Sequence, residues 1–149
     1  MPGRRYSLDA EQNISSPDDS VLTLTGASTI RCEVYYFAIG NEGTPADNQH
    51  IWYIQRHTAE GTNTTVTPQA LDPGDPASLA DGGENHTVEP TYTSAAIFFR
   101  LGLNARAAHA WYADPYGPIK MPASTNGLGW YPQHASSTVL VSVVAHFCE

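Results

Sequence analysis

Residues 95–103, AAIFFRLGL, carry the cleanest alternation in the chain. Ile97, Phe99, Leu101 and Leu103 fall on one side of an extended backbone, with Phe98, Arg100 and Gly102 on the other. Because strand side chains point to opposite faces in turn, such a pattern predicts a strand with one face on a core. The reading extends outward in both directions. Residues 138–147, TVLVSVVAHF, put Val139, Val141, Val143, Ala145 and Phe147 on one face. Tyr6, Leu8 and Ala10 alternate with Ser7 and Asp9, and Leu22 and Leu24 with Thr23 and Thr25. In residues 50–58, Trp52, Ile54 and Arg56 oppose Ile51, Tyr53, Gln55 and His57. Residues 29–39 place Ile30, Cys32, Val34, Tyr36 and Ala38 together, but Tyr35, Phe37 and Ile39 make the second face apolar too. A strand greasy on both faces is predicted to be covered twice, by its own chain or by another subunit. Roughly seven to nine short strands, separated by Gly, Pro and Asn turns and without a 3.6-residue period, predict an antiparallel β-sandwich of jelly-roll type. Residues 6–149 read as one domain behind an N-terminal arm, 1–5.

Composition narrows the function classes. The chain has 149 residues, enough for one domain with a core of its own, and 41% of them are hydrophobic against 15% charged, which argues against disorder and against a long-helix protein. A formal net charge of −8 makes a nucleic-acid partner unfavourable. No run approaches the ~20 apolar residues of a membrane helix and no signal peptide is evident, so the expectation is a soluble, cytosolically made protein. Cys32 and Cys148 match no metal spacing and read as free thiols, although one disulfide is open to them.

The stretch 65–85, TVTPQALDPGDPASLADGGEN, interrupts the strands with Pro and Gly. It is expected to be a long loop, and a small β-domain with an excursion of this length is expected to use it for contact. Asp72, Asp75 and Asp81 could supply oxygens to calcium, but Asp-Pro-Gly-Asp-Pro is accounted for by turns in which an Asp side chain accepts from a backbone N–H two residues on. His50, His57, His86, His109, His134 and His146 are scattered without ligand spacing, and no nucleophile elbow, P-loop or dinucleotide fingerprint is present. The expectation is therefore no enzyme, no cofactor and no metal. Trp111, Tyr112, Tyr116, Trp130 and Tyr131 fall in or beside predicted loops, where aromatic rings could cap the sandwich, anchor a protein or stack on sugar. A protein interface is favoured over sugar, because Asp114 and Asn126 are the only obvious polar companions.

The opening RRYSLDAEQNIS (4–15), the loop VTPQALDPGDPAS (66–78), LNARAAHAWYADP (103–115) and the closing GLGWYPQHASSTVLVSVVAHFCE (127–149) together resemble small β-rich virion proteins of tailed bacteriophages, of the capsid decoration or cement type. The likeness covers most of the chain, and each of its motifs is short and structural. It departs from the family pattern at Trp130-Tyr131-Pro132 and at the alanines of 105–110. The resemblance implies a non-enzymatic structural protein on the outer capsid surface, made in the host cytoplasm. It further implies binding to the major capsid protein and to its own copies, with a homotrimer favoured. Residues expected to make contact are Arg4, Arg5 and Tyr6, then Tyr35 and Phe37, then Leu71, Asp72, Pro73, Asp75, Pro76 and Leu79, and finally Trp130 and Tyr131. The competing expectation is a carbohydrate-binding β-sandwich module of a tail or fibre.

Overall fold

The computed structural model describes residues 3–15, 19–114, 117–135 and 138–149. Those residues contain twelve strands: β1 (Arg5–Ile14), β2 (Leu22–Thr25), β3 (Glu33–Glu42), β4 (Gln49–Ala59), β5 (Thr62–Val66), β6 (Gln69–Ala70), β7 (Asp81–Val88), β8 (Thr91–Asn104), β9 (His109–Tyr112), β10 (Ile119–Lys120), β11 (Gly127–Ala135) and β12 (Val139–Cys148). They form two antiparallel sheets of six strands. The first runs β10-β3-β12-β1-β6, with β9 also on β3, and the second runs β5-β7-β2-β11-β4-β8. When β1, β2, β3, β4, β8, β9, β11 and β12 are numbered one to eight, the sheets read 1-8-3-6 and 2-7-4-5. That is the jelly-roll order, a long antiparallel ribbon rolled into a sandwich. The expected fold class holds.

The core lies between the sheets. Tyr6, Leu8, Ala10 and Ile14 meet Val34, Phe37, Ile39 and the inward row Val139, Val141, Val143, Ala145 and Phe147 in one sheet, with Leu22, Leu24, Trp52, Ile54, Leu128 and Trp130 facing them from the other. Most of these are the positions that alternation assigned inward. Two β-bulges account for the exceptions, because each inserts one residue and so reverses the alternation beyond it. In β3, Phe147 lies opposite Val34 and His146 opposite Tyr36, so Tyr35 is the extra residue. Val34 and Phe37 therefore both enter the core, while Tyr36 and Ala38 turn out of it, against expectation. In β8, Phe99 pairs with Ile54 and Ile97 with Gln55, so Phe98 is extra. Ile97 leaves the inward row there, and only Phe99, Leu101 and Leu103 pack on the core.

Three of the four additional strands, β5, β6 and β7, belong to an extension of the β4–β8 pair, while β10 adds to β3 in the first sheet. Two residues separate β4 from β5 and two separate β7 from β8, and β5 pairs with β7 as β4 does with β8. One two-stranded ribbon thus leaves the second sheet at β4/β8 and rejoins it at β2, on the far side of β11. On its way it crosses the outer face of the β2–β11 pair, and β6, near its tip, pairs with β1 of the first sheet. The extension clasps both layers.

Glycines make room for the crossing. A Cβ on Gly129 would stand 2.1 Å from the Tyr92 hydroxyl, one on Gly83 2.5 Å from the Asn63 amide, and one on Gly127 2.4 Å from His57. Gly82 has the same function on the inner side, where its Cβ would lie 2.5 Å from Leu8. Gly82 and Gly83, which read as turn residues, are strand positions of close approach. With Thr65 and Val66 also paired, the loop expected over 65–85 contracts to residues 71–80.

Candidate protein interface

Residues 71–80, Gly3 to Tyr6 and Glu149 meet at one end of the sandwich. The Leu71 N–H donates to the Arg5 carbonyl at 2.8 Å, continuing the short β6–β1 ladder, and the Glu149 N–H donates to the Arg4 carbonyl at 3.0 Å. Arg5 is thus the first residue of β1, and the arm expected over 1–5 is tied to the chain's last residue as far as Arg4. The Tyr6 ring is fully buried, 5.5 Å from that of Phe147, and its hydroxyl donates to the Pro76 carbonyl at 3.1 Å. Burial raises the Tyr6 pKa, which keeps the hydroxyl a donor.

The loop is held by its own turn and by one carboxylate. Within it, Asp72 Oδ1 accepts from the Gly74 N–H at 2.9 Å, the local bond expected of an Asp in such a turn, and the Asp75 N–H donates to the Asp72 carbonyl at 2.9 Å. At its far end the Glu149 side chain accepts from the Ser78 hydroxyl at 2.6 Å, the Leu79 N–H at 3.0 Å and the Ala80 N–H at 2.9 Å. A carboxylate with three short donors is a strong local tether, since charge-assisted bonds are about twice as strong as neutral ones. Held in this way, the loop turns Leu71 (48% exposed) and Leu79 (55%) outward beside Arg4, Arg5, Asp72, Pro73 and Pro76, with Asp75 half-buried among them.

The remaining expected contact residues are elsewhere. Trp130 is 0% exposed and 6.2 Å from Phe37, which is itself buried, and Tyr131 is buried under Tyr92 with ring centroids 4.4 Å apart. In the folded chain these three cannot present surface to a partner, nor can the Tyr6 ring. Tyr35 is half-buried between His146 at 6.1 Å and the Arg5 guanidinium at 5.9 Å. The apolar second face of 35–39 is accounted for by the bulge, which turns Phe37 inward, and by partial cover from this chain's own β9 and His146. Trp111 also packs inward, 5.3 Å from Phe37 and 5.2 Å from Phe99. Tyr112 is the exception at 72% exposed, 4.6 Å from Tyr36, which in turn lies 4.8 Å from His146. The Tyr116 ring and the His134 side chain fall outside the described residues.

A second polar cluster, with no warning in the sequence, lies beneath the ribbon crossing. The Ser20 hydroxyl meets that of Tyr92 at 2.8 Å, the Ser20 N–H donates to Glu89 at 3.0 Å, and His86 Nδ1 is 3.1 Å from the Ser20 carbonyl. Thr23 donates to Glu60 at 3.1 Å and lies 3.3 Å from His86 Nε2. His57 is fully buried beside them, and neither of its ring nitrogens makes a well-formed hydrogen bond among the described residues. Burial, with a smaller push from His86 and a small opposing pull from the Leu24 carbonyl, brings the His57 pKa down to about 4. Serine, threonine, histidine and carboxylate do not form a relay here: Ser20 and Thr23 are fully buried, so no substrate reaches either hydroxyl.

Cys32 and Cys148 are buried free thiols, and burial pushes the Cys32 pKa up to about 12, far from a reactive thiolate. Among the described residues no three His, Cys, Asp or Glu side chains are grouped to hold a metal ion. No family model, curated protein or solved structure matches this chain.

Proposed function

We propose that the protein is a non-enzymatic virion component of a tailed bacteriophage, a decoration or cement protein that binds the major capsid protein and its own copies on the outer capsid surface. The observation that supports this reading most is the joining of the Arg4–Arg5 segment and the 71–80 loop, distant in sequence, into one exposed and internally braced patch. A surface already held in shape loses little conformational entropy on docking. Its exposed leucines, ringed by both charge signs, suit a protein more than a small molecule. A protein that binds the assembled shell and not its open form stabilises the shell by mass action. The test is an image reconstruction of the particle containing this chain, with heat-induced shell opening measured with and without it. Density around local threefold positions, with this end against the shell and later opening, is the expected result. A few copies at one vertex, or unchanged opening, overturns the cement role.

The sugar-binding reading rests on Tyr112 and not on Trp130, because Tyr112 is the most exposed aromatic ring among the described residues and has Tyr36 and His146 behind it. Glycan-array binding that Tyr112→Ala abolishes is the result that would favour a tail or fibre module.

A further inference from the structure

We propose that the open edge of β8 is a strand-addition site for an extended, carboxylate-bearing segment of a partner protein. β8 is the longest strand and ends its sheet, and among the described residues it pairs with β4 alone. From Phe99 to Asn104 its register against β4 is unbroken. That length gives a straight row of backbone donors and acceptors on the far side, the template that a partner strand uses in β-augmentation.

The other edge strands are less suited. β1 carries Asp9 and Glu11 along the part that β6 leaves uncovered, charges of the kind that blunt an edge. β5 spans only five residues, β9 four, and β6 and β10 two each. β8 has no proline and no acidic residue, and the only charge along it is Arg100.

Charge identifies the occupant. The chain has fifteen acidic residues, yet none lies between Glu89 and Asp114, a span that holds Arg100 and Arg106. A third arginine joins them, since the Arg56 guanidinium lies 4.9 Å from the ring of Phe98, which is 40% exposed. Arg100 itself lies 5.0 Å from the Tyr53 ring. Of the nearby carboxylates, Asp47 at the far end is engaged by the Asn104 amide, and Glu33, beyond the Lys120 carbonyl to which Arg56 donates, is ion-paired with Lys120. The flank is thus a cationic strip on a protein of net charge −8, with an aromatic anchor. A basic partner is drawn to the rest of the surface and repelled here, and pairing with the same edge of a second copy brings arginines together. Arg56 and Arg106 donate to the neutral Lys120 and Pro45 carbonyls, so their charge stays uncompensated there, and an acidic strand satisfies the backbone row while complementing that charge.

The site is separate from the loop and termini, so the experiment uses the isolated, full-length chain and no capsid. Its probes are a peptide of about seven residues alternating valine and glutamate, and its lysine counterpart. Saturable amide NMR shifts confined to residues 97–104 with the glutamate peptide are expected. Affinity should drop about tenfold or more in an R100E/R106E variant, both positions being exposed, with preference passing to the lysine peptide. Three results overturn the proposal: no shift at millimolar peptide, shifts elsewhere, or equal binding of both peptides. Concentration-dependent dimerisation through the same amides, without peptide, shows the occupant to be a second copy and overturns it as well.

Discussion

Acidification should loosen this sandwich at His57, by an amount that can be worked from its burial. The ring is fully buried without a well-formed hydrogen bond and has a pKa of about 4 against 6.5 for a free imidazole. In the unfolded chain the ring takes up its proton around pH 6.5; in the folded chain it resists until about 4. The unfolded state therefore binds more protons between those values. Stability is complete above the unfolded pKa and falls as the pH drops through 6.5 toward 4. Between pH 7.5 and pH 5 the linkage relation gives a loss of about 2 kcal/mol from this residue alone. Burial also lowers the pKa of His50, His86 and His146, so their contributions have the same sign. The His86 imidazole from β7 adds a smaller push in the same direction as burial, and the Leu24 carbonyl pulls weakly against it. Urea unfolding of wild type and His57→Gln at both pH values isolates the residue. With a urea slope of about 2 kcal/mol per molar, the wild-type midpoint should move about 1 M further on acidification than that of the variant. Equal pH dependence in the two proteins would refute the claim that His57 is held neutral by burial.

Four further outcomes follow from the geometry. Glu149→Ala leaves the Leu79 N–H without its acceptor, the Ser78 hydroxyl without its carboxylate and the fully buried Ala80 N–H with Ser78 Oγ alone; a stability loss of about 1–3 kcal/mol is expected, together with faster hydrogen exchange and proteolysis confined to residues 71–80. Gly129→Val should lift Tyr92 off β11 at a cost of about 1–3 kcal/mol or more, visible as lost Tyr92–Tyr131 ring contacts in NMR. Gly43→Ala, at φ +78 but with open space around it, should cost about 1 kcal/mol and leave the core signals alone. Trp130→Ala should cost about 3–5 kcal/mol in chemical denaturation, whereas Tyr112→Ala should change stability by less than about 0.5 kcal/mol.

Alternation was legible wherever a strand paired in regular register and covered one face. β1, β12 and the inner row of β4 are such strands, and Leu8, Val143 and Trp52 lie where period two puts them. It misled at Tyr35 and Phe98, because nothing local distinguishes an inserted residue from one more step of the pleat. In 35–39 the consequence was a second apolar face that invited a subunit interface; the bulge places Phe37 inward and β9, with His146, covers the rest. Of the candidate patch, the Asp72 turn could be read directly, since its bond spans two residues. The meeting of Arg4, Arg5 and the loop could not, because it depends on Glu149 being close to Ser78, 71 positions away. Aromatic residues were harder still: Trp130 and Tyr112 are equally apolar on paper, and only their neighbours separate a core ring from an exposed one.

Gly-Gly at 82–83 shows the same difficulty and how physics resolves it. In isolation two adjacent glycines signal a turn, because they relieve backbone strain. Here neither has a positive φ, so the missing side chains are used for space. Gly82 admits Leu8 from one side and Gly83 admits Asn63 and Glu60 from the other, so both faces of β7 are packed closer than any larger residue allows. A ribbon that must cross its own sheet and still hydrogen-bond on the far side requires such a strand. The polar cluster beneath the crossing follows from the same constraint: backbone that turns over a sheet leaves groups such as the Ser20 N–H and carbonyl without ladder partners, and Glu89 and His86 supply them. The histidines are therefore explained as the ribbon's internal solvation, and the same burial that lets them serve at neutral pH makes the crossing the part of the fold that acid should open first.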